Sequence, residues 1–324
     1  MNTQLIAQIR ASTSHPTLII GQHLAVIQSM LDFDYLCGKT TPDICGLITG
    51  SRGVSKLFWG KKERLFVTYR TIADYAQANS SQTIDWFVHV SSARRVKSDI
   101  ERIFDIYPFI QGGVIFAEGL TEQHALSIYH TSIKHGALVV GPATVGFLVP
   151  GALKLGAIGG VDPAQWEKLN ITTPGHVAVI SGSGGMTGEL ISLVYQSGHA
   201  VSFALSFGGD RWPICTPQDA FILAQNDPET KVIVYYGELG GEDEYRLKEM
   251  FENHTITKPV IAHIGGTVGE IFPESPQFGH AKAKAHLVKE KASEKRKALA
   301  EAGVTVTHTF SDVLTYLKEI NVSS

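Results

Sequence analysis

His280 sits in PQFGHAKAKA (276–285), an imidazole with glycine before it and alanine after it. Small neighbours leave a ring room to move, and a lysine-rich run follows that reads as a long charged helix. An imidazole that accepts a phosphoryl group needs one free ring nitrogen, anion donors facing it, and a carboxylate on the other nitrogen. The chain offers candidates for the donors and for the carboxylate. Glu238 in GELGG (237–241) and Glu118 in IFAEG (115–119) each close an apolar, β-branched run just ahead of glycine. ISGSGGMTGEL (180–190) runs through glycines from a strand pattern into a helix pattern. Such a turn exposes backbone N–H groups and the positive end of a helix. Each feature also has a plainer reading: a loop histidine, solvated loop acids, and a tight turn that needs glycine.

Competing chemistries find less support. Gly182, Gly184 and Gly188 space as G-x-G-x-x-x-G, one residue too long for a dinucleotide fingerprint, and they open the second half of the chain. That disfavours a nicotinamide dehydrogenase. No lysine follows the last glycine as a phosphate loop requires, and no G-x-S-x-G elbow is present. His124, His130, His135, His263 and His286 show no paired metal spacing. SRGVSKLFWGKKER (51–64) and SSARRVKS (91–98) read as basic loops near strand ends. They suit a ligand with several phosphates, or are solvated faces. In SFGGDRWPICTP (206–217), Asp210 pairs with Arg211, caps a helix or contacts a ligand.

The elements that must position these residues alternate. TLIIG, ICGLIT, IDWFVHVS, GGVIFAEG and ALVVGP read as strands separated by amphipathic stretches, the pattern of a parallel, doubly wound sheet. TEQHALSIYHTSIKHG (121–136) reads as a helix with a capping-box start and a glycine stop. A Gly/Pro-rich connection then sets a domain boundary near residue 150. The alternation restarts at HVAVIS and gives a second, flavodoxin-like α/β half over 151–324. The 324 residues are 44% hydrophobic and 18% charged, with a net charge of −3. That is an ordinary soluble balance with no call for nucleic acid. Cys37, Cys45 and Cys215 are too few for a disulfide framework. With no secretory pattern and no apolar run of about 20 residues, a cytoplasmic protein off the membrane is expected.

Taken in order, SMLDFDYLC, FWGKKE, FAEG, VVGPATVG, SGGM, GGDRWP, GELGG, PQFGHA and LAEAGV resemble the α-subunit type of the succinyl-CoA synthetase and ATP-citrate lyase family. MLDFDYLC and GGDRWP point to the citrate branch. The resemblance implies an α/β fold, with an N-terminal Rossmann-like CoA-binding domain (1–150) and a flavodoxin-like ligase domain (151–324). It implies that His280 is phosphorylated, that Glu238 and Glu118 support it, and that Ser183, Gly184, Gly185 and Met186 hold the phosphate. Lys62, Ser92 and Arg94 fall in stretches that contact CoA, as does LAEAGV (299–304). ATP and Mg²⁺ are expected on a separate ATP-grasp β-type subunit, since the chain has no room for one. A citrate-synthase-like module is not expected here, so the implied product is citryl-CoA, with cleavage left to a separate citryl-CoA lyase. Two positions depart from the family pattern: Gly182 stands where arginine is usual, and Lys282 where glycine is usual.

Overall fold

The computed structural model describes residues 2–320 and contains two seven-stranded sheets. The first is built from β1 (Thr17–Gly21), β2 (Ile44–Ile48), β3 (Gly53–Trp59), β4 (Lys62–Tyr69), β5 (Trp86–Val90), β6 (Gly112–Ile115) and β7 (Leu138–Val140). Their order is β3-β4-β2-β1-β5-β6-β7, parallel except where β3 runs antiparallel to β4. The second holds β8 (Gly146–Val149), β9 (Leu153–Gly156), β10 (Val177–Ser181), β11 (Val201–Ser206), β12 (Val232–Glu238), β13 (Val260–Gly265) and β14 (Thr305–Val306). Its order is β14-β13-β12-β10-β11-β8-β9, with β8 antiparallel to both β11 and β9. The expected α/β, doubly wound architecture is therefore present, because strands such as VAVIS in β10 are buried at every residue and must be covered on both faces.

Several local expectations change. Sheet membership switches between Val140 and Gly146, ahead of residue 150, because GFLV and LKLG pair into the second sheet. The stretch 51–64, read as a basic loop, is mostly a hairpin whose tip lies at Gly60–Lys61. The charged helix after His280 covers only Ala292–Glu301, behind a short 3₁₀ turn at Val288–Glu290. The carbonyls of Lys289 and Glu290 are taken by the Tyr245 hydroxyl and the Gly240 N–H. The helix Glu122–His135 stops at left-handed Gly136 as expected, with the Thr121 hydroxyl accepting from the His124 N–H. Its box is half made, since His124 stands where an acid would return the bond.

The two sheets share one core. Trp86 of β5 packs on Phe147 of β8 at 6.1 Å between ring centroids, and Phe147 packs on Phe203 of β11 at 6.4 Å. The helix Leu5–Ala11 buries Leu5, Ile6 and Ile9 and reaches across to the second sheet. There the Arg10 guanidinium donates to Asp227 Oδ2 at 2.7 Å and to the Ser202 carbonyl at 3.2 Å. Burial alone would raise the Asp227 carboxyl, but hydrogen bonds from Arg10 and Thr230 outweigh it and hold the group below its ordinary range. A lowered folded value stabilises the protein above the unfolded carboxylate pKa, and that stability is lost as pH falls through the folded value. Arg10→Met strands a buried carboxylate and is expected to cost about 3 kcal/mol. Denaturant midpoints should show the loss, and Arg10→Met with Asp227→Leu should recover most of it.

Candidate active site

β10 has β11 on one side and β12 on the other, and the chain reverses direction across the sheet between them. Crevices form at such switch points, outside the carboxyl ends of the strands. Ser181 ends β10 there and Glu238 ends β12. The segment that carries His280 folds over this crevice. The His280 carbonyl accepts from Gln277 Nε2 at 2.6 Å and from the Ala283 N–H at 3.0 Å, and the Ala281 N–H donates to the Gly209 carbonyl at 3.2 Å. Gly240, at φ +87°, admits this segment, since a Cβ there would lie 2.0 Å from the Lys282 carbonyl oxygen.

His280 Nδ1 lies 2.7 Å from Glu238 Oε1. A carboxylate acceptor fixes the proton on Nδ1 and leaves the lone pair on Nε2. Nε2 makes no hydrogen bond among the described residues. Hydrogen bonding to Glu238 pushes the imidazole above its ordinary pKa; burial opposes this, and the charges on Glu238 and Glu118 add to it. The ring lies against Gly209, where a Cβ would meet His280 Cδ2 at 2.5 Å. Gly209→Ala is therefore expected to displace the ring and lower its pKa toward the free value. Histidine NMR titration checks this, and a thermal midpoint kept within a few degrees separates it from unfolding.

The pair sits in a cavity of about 40 Å³ whose wall includes Gly182, Gly209, Asp243 and Lys282. Gly182 has no space for a side chain, because a Cβ would meet the Phe207 ring at 2.8 Å. Lys282 turns toward the same cavity and pairs with Asp243 at 3.1 Å. Just beyond Gly182, Ser183 caps the helix Gly184–Gln196, its hydroxyl accepting a long 3.4 Å bond from the Met186 N–H. First-turn N–H groups have no partner within a helix, so those of Gly184 and Gly185 are the open donors there. Glu118 is exposed in the loop after β6 and comes near enough for its charge to act on His280. That loop is tied down by Asp210, which accepts from the N–H groups of Gly119 at 2.9 Å and Leu120 at 3.2 Å. Asp210 thus clamps the two halves together; its one bond to Arg211 is to the backbone N–H.

The residues expected to meet the phosphates of CoA are only partly gathered. The first sheet switches direction between β1 and β5, and Ser92 and Arg94 lie just past the end of β5. Ser92 caps the helix Ala93–Ile106 by position, with no side-chain capping bond, and Arg94 is exposed in its first turn. Lys62 lies elsewhere, at the hairpin tip and the opposite end of β4 from that edge. Arg52, from the basic stretch 51–64, and Arg70, which no motif singles out, line a cavity of about 700 Å³ at the carboxyl ends of β2 and β4. Among the described residues no group of three or more His, Cys, Asp or Glu could hold a metal ion, and no helix is long and apolar enough to cross a membrane.

Two wound sheets on one core, with a switch-point crevice at the end of each, make the fold that of the CoA ligases. Residues 180–308 match the CoA-ligase family. The chain is 38% identical over 305 residues to the probable ATP-citrate synthase subunit 1 of Schizosaccharomyces pombe, covering 93% of itself and 49% of that protein. It is 36% identical over 295 residues to ATP-citrate synthase beta chain protein 1 of Arabidopsis thaliana, covering 90% of itself and 48% of that protein. It superposes on the ATP citrate lyase of Methanothrix soehngenii, solved in complex with citrate and coenzyme A, with a TM-score of 0.88 at 33% identity, covering 94% of itself and 49% of that chain. A dinucleotide-forming acetyl-coenzyme A synthetase of Ca. Korarchaeum cryptofilum shares the fold, with a TM-score of 0.63 at 15% identity, 94% of this chain and 60% of that one. The chain belongs to the CoA-ligase family, in its ATP-citrate lyase branch, and spans about half the length of the curated relatives it matches.

Proposed function

We propose that this chain is the α-type subunit of an ATP-dependent acid–CoA ligase that converts citrate, CoA and ATP to citryl-CoA, ADP and phosphate through phosphorylated His280. The observation that carries the reading is the His280–Glu238 contact at the switch point, which leaves Nε2 unpaired over a crevice. The Nε2 lone pair bonds to the γ-phosphorus of ATP as the bond from phosphorus to ADP breaks. The proton stays on Nδ1, donated to Glu238, whose charge, with that of Glu118, offsets the cationic ring. Ser183, Gly184, Gly185 and Met186 hold the phosphoryl group through the helix start. Lys282 supplies a cation in place of the one absent at Gly182. A citrate carboxylate oxygen then takes the phosphorus and frees the ring. The CoA sulfur attacks the acyl carbon, and phosphate leaves.

CoA lies along the first sheet, its phosphates near Ser92 and Arg94, with Arg52 and Arg70 as further cations. ATP and its Mg²⁺ arrive on an ATP-grasp β-type subunit, and citryl-CoA passes to a separate lyase. Three free thiols fit the cytoplasm. The test is incubation with the ATP-grasp partner, Mg²⁺ and γ-labelled ATP. An acid-labile, base-stable label on the chain, discharged by citrate plus CoA and not by succinate plus CoA, supports the reading. Discharge by succinate moves the chain to the succinate branch. CoA binding with no label overturns the phosphohistidine and leaves a non-catalytic CoA-binding homologue.

A further inference from the structure

The helix Ala292–Glu301 turns Ala292, Lys295, Ala298 and Leu299 inward, so a lysine occupies a row that otherwise holds small or apolar side chains. Lys295 is 1% exposed. Its ammonium donates to the Glu238 carbonyl at 2.8 Å and to the Gly240 carbonyl at 2.6 Å. It also lies 2.6 Å from Glu244 Oε2, an ion contact without hydrogen-bond alignment. Glu244 is 2% exposed, and its other oxygen accepts from the Tyr235 hydroxyl at 3.0 Å. One buried cation therefore joins the carbonyls on either side of Leu239 to the first turn of the next helix. Burying an ion pair is costly, and well-packed apolar side chains often serve stability as well or better. What an apolar pair cannot do is hold two carbonyls at the end of β12 in a fixed orientation.

We infer that Lys295 is a positioning residue that braces the Glu238–Gly240 turn, and through it sets the Glu238 carboxylate against His280. Among the described residues no other lysine or arginine donates to a carbonyl of this turn. The inference rests on the reading of His280 as the phosphoryl carrier, but its first readout does not need that reading. In the double variant Lys295→Met with Glu244→Met, no charge is left unpaired. His280, followed by histidine NMR in the intact chain, is expected to titrate nearer the free value of about 6.5. With the ATP-grasp partner and labelled ATP, labelling is expected to slow by about 10²-fold, the scale of a misplacement of about 1 Å.

A double variant that melts like the wild type, with His280 titration and labelling unchanged, overturns the inference. If that variant does not fold, Tyr235→Phe decides. It removes only the hydroxyl that steadies Glu244, and an unchanged His280 titration there overturns the inference as well. A wild type that takes no label, with a titration that still shifts in the variants, sinks the proposed reaction and leaves the positioning role standing.

Discussion

Replacing His280 with asparagine is expected to abolish labelling of this chain by γ-labelled ATP and to cut citryl-CoA formation by roughly 10⁴-fold or more. Asparagine is smaller than the ring and has no nucleophilic nitrogen, because its amide lone pair is delocalised. Its side chain can still reach Glu238 with a hydrogen bond, so the carboxylate is not stranded. The His280 side chain is 34% exposed, and the bonds that anchor its segment run from the His280 carbonyl and the Ala281 N–H, which asparagine keeps. Stability and CoA affinity should therefore match the wild type, which thermal melts and calorimetric titration with CoA can show. Label that survives in this variant would place the phosphoryl acceptor elsewhere.

Glu238→Gln carries the next largest effect. Glutamine can still accept from Nδ1 and hold the ring, but it brings no charge. The strongest influence raising the His280 pKa is then weakened, and burial, which lowers it, is no longer outweighed. In the proposed reaction phosphorylation needs the neutral ring, so its rate is expected to rise with pH through the His280 pKa. The acid limb of the profile should move to lower pH in the variant, while the plateau falls by about 10²-fold because the phosphorylated ring has lost its counter-charge. Stability carries the opposite sign. A histidine pKa raised in the folded state contributes stability below the unfolded value of about 6.5, and that contribution fades as pH rises through the folded value. Glu238→Gln should flatten this part of the stability profile. A pH–rate profile of labelling, beside melts at several pH values, reads both effects.

His280, Glu238 and the helix start at Ser183 were visible in the chain because each carries a local signature. A buried parallel strand shows as a β-branched run, and a functional group at its carboxyl end shows as the first polar residue after it. Glu238 after VIVYYG is such a case. The hairpin of β3 and β4 carries no such mark. Its outward face holds Val54, Phe58, Leu65 and Val67, all more than half exposed, beside lysines and arginines, so the polar–apolar alternation is scrambled. Gly209 and Asp210 act through shape and backbone contacts between segments far apart in sequence, which no local pattern encodes. Lys295 did leave a trace, since it falls three residues after Ala292 and four before Leu299, on the inward stripe of its helix. Composition masks it, because the run around it is rich in lysines that do face water.

The helix Leu5–Ala11 begins the chain on the sheet that the chain completes last, and Asp210 holds the two halves together at the opposite side of the fold. A chimaera that spliced the front of one relative to the back of another near residue 143 would inherit a mismatched opening helix, a mismatched clamp and half an interior. Halves of this kind should exchange poorly between relatives, which are expected to diverge by point substitution around a frame that stays whole.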